Sequence, residues 1–171
     1  MLLLGYDIGS SSIKAAIIEV TTGKLLASAS SPETELPILA PQKGWAEQNP
    51  EDWWKHVKLV TIKLKSKYKI DLKKVGAIGI SYQMHGLVLI DKKGRVLRPA
   101  IIWCDSRAVE IGQKAFNDLT PNYCLTNYLN SPGNFTAAKL KWVMLNEPAI
   151  YRKVFKFMLP GDYLAFKLFV P

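Results

Sequence analysis

Three β-type runs crowd into the first thirty residues, and the turn between the first two carries the chemistry. Leu2–Asp7, Ser12–Val20 and Lys24–Ser30 read as strands, the last two joined by Thr21-Thr22-Gly23, a glycine-bearing hairpin turn. The first run passes through Asp7 and Gly9 into three hydroxyls, Ser10, Ser11 and Ser12. A phosphate-binding P-loop needs Gly-x-x-x-x-Gly-Lys-Ser/Thr leading into a helix, and a dinucleotide fold needs Gly-x-Gly-x-x-Gly at the same junction. Neither pattern is here. Gly9 leads instead into SSSIKAAIIEV, rich in β-branched residues, so the loop joins two strands of a hairpin. A phosphate would meet backbone N–H groups and hydroxyls at a hairpin tip.

Asp7, at the end of a strand read as buried, would cost roughly several kcal/mol unless paired or hydrogen-bonded. Magnesium accompanying a nucleotide would satisfy it, through retained waters. Capping of its own turn, through the N–H groups of Ser10 or Ser11, is the alternative.

The rest of the chain alternates helical and strand patterns, as an α/β unit does. A loop with Pro32, Pro37 and Pro41 comes after the third run; Ser31 to Glu47 fits a surface loop or a subunit contact equally. Asn49-Pro50-Glu51-Asp52 supplies a cap, a first-turn proline and two acids, which predicts a helix to about Lys67. Val75, Ala77, Ile78 and Ile80 form a short run ending in SYQMHG. Leu87–Ile90 breaks at Asp91-Lys92-Lys93-Gly94 and resumes at Val96, a second pair of runs around a polar glycine turn. RPAIIWCDSRA predicts a strand ending in Trp103-Cys104-Asp105 and a helix from near Ser106. NFTAAKLKWVMLNEP predicts a helix with Leu140, Val143 and Met144 on one face, and PGDYLAFKLF a last helix.

Composition narrows the function classes. With 171 residues, 49% hydrophobic and 22% charged, the chain has the proportions of one globular domain. The net charge of +9 raises nucleic acid as a partner, but eight of the 23 basic residues lie between Lys55 and Lys74. There they flank an apolar stripe of Trp53, Trp54, Val57, Val60 and Leu64, as on a solvated helix face, and no nucleic-acid signature accompanies them. Cys104 and Cys124 stand apart without a metal pattern and read as small core residues. No stretch reaches the about 18 apolar residues of a membrane span, and Met1–Leu4 is too short for a signal-peptide core. The expectation is a cytoplasmic protein with neither nucleic acid nor membrane as partner.

YDIGSSSIKAAI resembles the first phosphate segment of the actin-like ATPase superfamily. GWAEQNPEDWW, GISYQMHGLVLID, RPAIIWCDSRA and LPGDYLAFKL come after it in the order seen in the FGGY family of carbohydrate kinases, and Gln83-Met84-His85-Gly86 is most similar to the xylulokinases. The resemblance covers nearly the whole chain. It implies an actin-like, ribonuclease H-like α/β domain: a mixed sheet with hairpins and flanking helices, incomplete at the C-terminus. Residues 1–171 would be the N-terminal part of the first, sugar-binding domain, the second domain being absent.

The implied reaction is ATP- and Mg2+-dependent phosphorylation of a ketose, D-xylulose to D-xylulose 5-phosphate. Ribulose, glycerol or gluconate remain as other substrates, and a non-catalytic sugar- or phosphate-binding module as another class. By resemblance, Asp7 supports catalysis and holds magnesium through water, while Gly9, Ser10, Ser11 and Ser12 bind the nucleotide phosphates. Met84, His85, Trp103 and Asp105 bind the sugar. Each has a plainer reading: Met84 and Trp103 as core, His85 as a satisfied polar residue, Asp105 as the cap of the next helix. The proton-accepting aspartate of the family lies downstream of Pro171, so this N-terminal piece is expected to be inactive alone and to self-associate through an unpaired sheet edge. A homodimer of the parent enzyme is left open.

Overall fold

The opening hairpins form as the alternation requires. A computed structural model describes residues 1–169. In chain order its elements are β1 (Leu2–Ile8), β2 (Ile13–Glu19), β3 (Leu25–Ser31), β4 (Glu47–Gln48), α1 (Pro50–Lys67), β5 (Val75–Tyr82), β6 (Val88–Ile90), β7 (Ala100–Ile101), α2 (Val109–Asp118), α3 (Pro121–Tyr128), α4 (Thr136–Asn146), α5 (Pro148–Tyr151), β8 (Lys156–Met158) and α6 (Pro160–Phe169). Two compact units emerge: Met1–Pro37, Pro50–Gln83 and the stretch from Gly161 make one, Ile38–Asn49 and Met84–Pro160 the other.

The first unit is built on a four-stranded sheet in the order β3-β2-β1-β5, antiparallel except for the parallel β1–β5 pair. Gly23 turns the β2–β3 hairpin at a φ of 67°, where only glycine is unstrained. Along β1, Leu2, Leu4, Tyr6 and Ile8 are buried and the residues between them are not. Helix α1 packs on β2 and β3 through Trp53, Val57, Val60 and Leu64, four of the five stripe residues, and keeps its lysines largely outside. The Tyr6 hydroxyl meets Thr61 Oγ1 at 2.6 Å. Glu51, in the first turn of α1, accepts from the Tyr163 hydroxyl at 2.7 Å and from Lys167 Nζ at 3.0 Å, which ties α6 to the start of α1. On the other face of the sheet Leu3, Ile18 and Leu26 are exposed.

In the second unit, β4 pairs with β7 and β6 with β8, both antiparallel. Leu87, Leu89, Ile101 and Val143 form its core, with Leu97, Leu140, Trp142, Ile150 and Val154 around them. The turn at Asp91 forms: its carboxylate accepts from the N–H groups of Lys93 and Arg95, at 2.8 and 3.0 Å, and Gly94 has a φ of 75°. The run beyond it is shorter than the pattern predicts, a single bridge at Val96, because Pro99 has no N–H to extend a ladder.

Around residues 101–109 the chain departs from its sequence pattern. The strand expected to end in Trp103-Cys104-Asp105 stops at Ile101, because the Asp105 N–H turns back to the Ile102 carbonyl at 3.2 Å. The next helix begins at Val109, not near Ser106, whose hydroxyl and N–H are both engaged by the Gly44 carbonyl. Cys104 is exposed, and only Cys124 is a core thiol.

Helix α3 and the 3-10 turn Pro132–Asn134 carry no signal read from the sequence; α2 packs against that turn. A Cβ on Gly112 would lie 2.3 Å from Gly133 Cα, so the two backbones touch directly. Gly112→Ala should therefore destabilise the chain by about 1–3 kcal/mol, since backbone must shift to admit the methyl group. Urea unfolding measures this, and an unchanged midpoint would mean that the 132–134 turn yields freely.

Candidate functional site

The predicted site residues fall into two groups, one in each unit. In the first, the β1–β2 register pairs Ile8 with Ile13 and leaves Gly9, Ser10, Ser11 and Ser12 as the connecting turn. The Gly9 N–H closes it onto the Ser12 carbonyl at 3.2 Å, and the Ser11 carbonyl accepts from the Leu36 N–H at 2.7 Å. A Cβ on Gly9 would stand 3.0 Å from the Ser12 carbonyl oxygen, which explains the glycine. Ser11 is exposed, while Gly9, Ser10 and Ser12 are half-buried.

Asp7 is not buried, contrary to the sequence expectation. It lies on the open face of β1, its side chain 47% exposed, with Lys14 Nζ 4.0 Å away on the paired strand. The desolvation penalty therefore does not arise, and a loose surface pair of this kind contributes about 0–1 kcal/mol. A cavity of about 730 Å³ adjoins it, with Lys14, Lys63, Lys67, Ser28 and Ser30 also in its walls. Gly9 to Ser12 are not among those walls. The donor set suits magnesium in one respect: an accessible carboxylate can bind the ion's water shell. Among the described residues no cluster of three or more His, Cys, Asp or Glu could hold a metal, so phosphate and water would complete the coordination.

The second group begins where the chain leaves β5. Met84 is 63% exposed, and His85 adopts a φ of 57°, a left-handed conformation that is uncommon for any residue but glycine. Gly86 comes next because a Cβ there would meet Pro160 Cγ at 2.6 Å. The imidazole of His85 stacks on Phe135 with ring centroids 5.1 Å apart. Lys139 Nζ donates to the His85 carbonyl at 2.9 Å and to the Asn134 carbonyl at 3.1 Å, and the Thr136 hydroxyl donates to the Gly86 carbonyl at 3.4 Å. Burial, and after it the Lys139 charge, hold the His85 imidazole below its ordinary range, so it is neutral at pH 7 with one nitrogen donating and one accepting. Burial also lowers Lys139 to about 8, against the opposing pull of Asp105, so the ammonium form still predominates at pH 7.

Trp103 is 45% exposed, so it is not a core residue, and its carbonyl accepts from the Asn134 amide. Asp105 is sealed from solvent. One of its carboxylate oxygens takes the Ala46 N–H at 2.6 Å and Arg107 Nη2 at 2.7 Å, the other the Arg107 N–H at 2.9 Å. The guanidinium of Arg107 lies 3.7 Å from the Trp45 ring centroid and 5.0 Å from that of Trp142, and reaches Glu47 at 2.7 Å. Glu47 also binds Arg98, which pairs with Glu147 at 3.0 Å. Asp105 thus neither faces an open cleft nor caps α2, whose N-cap is Ala108. Arg107 is two residues away, but Ala46, Glu47 and Trp142, which complete the site, are too distant along the chain for spacing to reveal them. Lys139 did leave a signal: it precedes Val143 by four residues, which puts a lysine on a buried stripe.

Asp105→Ala should cost about 3–5 kcal/mol, because it strands Arg107 in a buried site. Chemical denaturation would show a lowered midpoint, whereas a change under about 1 kcal/mol would mean that Glu47 alone satisfies the guanidinium.

Residues 2–170 match the FGGY family of carbohydrate kinases, N-terminal domain. The xylulose kinase of Escherichia coli (strain K12) is 37% identical over 166 residues, an alignment covering 96% of this chain and 33% of that protein. The crystal structure of a xyloylose kinase from Brucella ovis superposes with a TM-score of 0.86 at 35% identity, over 97% of this chain and 34% of the other. A gluconate kinase from Lactobacillus acidophilus superposes with a TM-score of 0.80 at 26% identity, over 97% of this chain and 33% of the other. The chain spans about a third of the length of these relatives.

Proposed function

Because the chain belongs to the FGGY family of carbohydrate kinases, through their N-terminal domain and its actin-like fold, we propose that it serves an enzyme transferring the γ-phosphoryl group of ATP to a ketose hydroxyl. D-xylulose, giving D-xylulose 5-phosphate, is the substrate we favour. The observation that carries this reading is the Met84-His85 turn, exposed at its methionine, with a neutral imidazole, inside a match that runs the length of the chain. The xylulose kinase at 37% identity supports the choice of sugar. The gluconate kinase neighbour supports keeping other polyols, ribulose and glycerol among them, as competitors in the assay.

Residues 1–171 would then be the N-terminal part of the sugar-binding domain of a cytoplasmic enzyme. Among the described residues no helix is long and apolar enough to cross a membrane. Magnesium bound with ATP would neutralise charge on the phosphates as the group transfers. The chain's own residues have distinct tasks. Asp7 would orient the magnesium through water, and the Gly9–Ser12 turn would offer N–H groups and hydroxyls to phosphate oxygens. His85, neutral, would donate to one sugar oxygen and accept from another hydroxyl, while Met84 and the exposed Trp103 would cover its carbon face. Asp105 would act as scaffold. The hydroxyl's proton would pass to an aspartate carried in the remaining two thirds of the relatives' length.

Steady-state kinetics of the full-length enzyme test this reading. His85→Ala should raise the sugar KM by the equivalent of about 1–3 kcal/mol and leave the ATP KM nearly alone. Unchanged kinetics for every ketose and polyol tried would remove His85 from the site. Asp7→Asn should lower kcat far more than sugar affinity, because an interaction with the phosphoryl group strengthens where charge moves. Equal turnover with a lowered melting temperature would make Asp7 a structural residue. Sugar binding with no ADP formation by wild-type protein would leave a non-catalytic module.

A further inference from the structure

We propose that Lys139 is the positioning residue of the sugar site: its buried ammonium group holds the left-handed backbone of His85, and so the imidazole, in the orientation that meets the sugar. The inference rests on the reading of Met84 and His85 as sugar-binding residues.

Three observations converge on it. Lys139 is 0% exposed and yet belongs to no ion pair among the described residues; its Nζ is spent on two backbone carbonyls. A lysine has little reason to enter a core unless its donors are used there. The first of those carbonyls belongs to His85, whose left-handed φ of 57° is strained and persists only where the surroundings enforce it. The second belongs to Asn134, next to Phe135, on whose ring the imidazole stacks. One ammonium group therefore fixes both the backbone that bears the imidazole and the backbone that bears its stacking partner.

The geometry accounts for the choice of residue. A methionine of similar length would fill the volume but leave both carbonyls buried without donors. Thr136, one turn earlier on α4, reinforces the clamp by donating to the Gly86 carbonyl, so α4 grips two successive carbonyls of the turn. The charges that act on Lys139 are Asp105 and Cys104, which favour the ammonium form, and Arg107, which opposes it.

The experiment compares Lys139→Met, Lys139→Arg, His85→Ala and the Lys139→Met/His85→Ala double variant in the full-length enzyme, with D-xylulose, ATP and magnesium. Lys139→Met should raise the sugar KM about tenfold or more with the ATP KM unchanged, since two hydrogen bonds from a charged donor are lost. Lys139→Arg, which keeps charge and donors, should recover part of that loss. The double variant should be no worse than His85→Ala alone, because Lys139 acts through His85. If Lys139→Met yields no soluble protein, Lys139→Gln, which keeps an amide donor, carries the same comparison and should show a smaller rise of the same kind. A rise in sugar KM for His85→Ala without one for Lys139→Met or Lys139→Gln overturns the proposal and leaves the sugar site standing. Losses that add in the double variant, or that fall equally on ATP and sugar, also overturn it. An unaltered sugar KM for His85→Ala instead refutes the sugar site itself.

Discussion

The second unit depends on one guanidinium. Arg107 lies against the rings of Trp45 and Trp142, which themselves meet edge to face, and binds Asp105 and Glu47, so it links the segment before α1, the turn after β7 and helix α4. The ion chain extends through Arg98 to Glu147 at the end of α4. Desolvating these charges is expensive, and their attraction is repaid only if each oxygen and N–H finds a partner. That demand is specific: hydrophobic contacts tolerate sliding, whereas a forked guanidinium accepts carboxylates in few orientations. The network therefore sets the register of the pieces around the exposed Trp103.

The turn at His85 obeys the same logic on a smaller scale. Between β5 and β6 the chain passes through a left-handed histidine and a glycine with no room for a side chain. Left alone, such a turn would relax. Lys139 and Thr136 hold its carbonyls, and Phe135 holds the ring, all from the start of α4. An imidazole held in few orientations would lose little entropy on binding the polyol proposed for it, which is how preorganisation raises affinity.

The first unit contrasts with this. Its Asp7 lies on an open sheet face, where Leu3, Ile18 and Leu26 are also exposed. Apolar groups on that scale stay near solvent at a cost in hydration free energy. On the opposite face of β1 and β2 alternate residues are buried, and α1 packs there on β2 and β3.

Local periodicity and capping were enough to read a large part of this fold from the residues alone. The alternation of β1 and β2, the Gly23 and Gly94 turns, the Pro50 start of α1 and its stripe, and α6 were all legible, because each depends on residues within a few positions of one another. The motifs also indicated the family, since five short segments in order carry information that none carries alone. Packing in three dimensions settled the remainder. It placed Asp7 on an exposed face, ended the strand before Trp103, and paired Asp105 with Arg107 in place of a helix cap. It also brought Lys139 to the carbonyl of a residue 54 positions away. The reason is that burial and the partners of a charge are set by whatever packs against it from distant parts of the chain, and no periodicity encodes that distance.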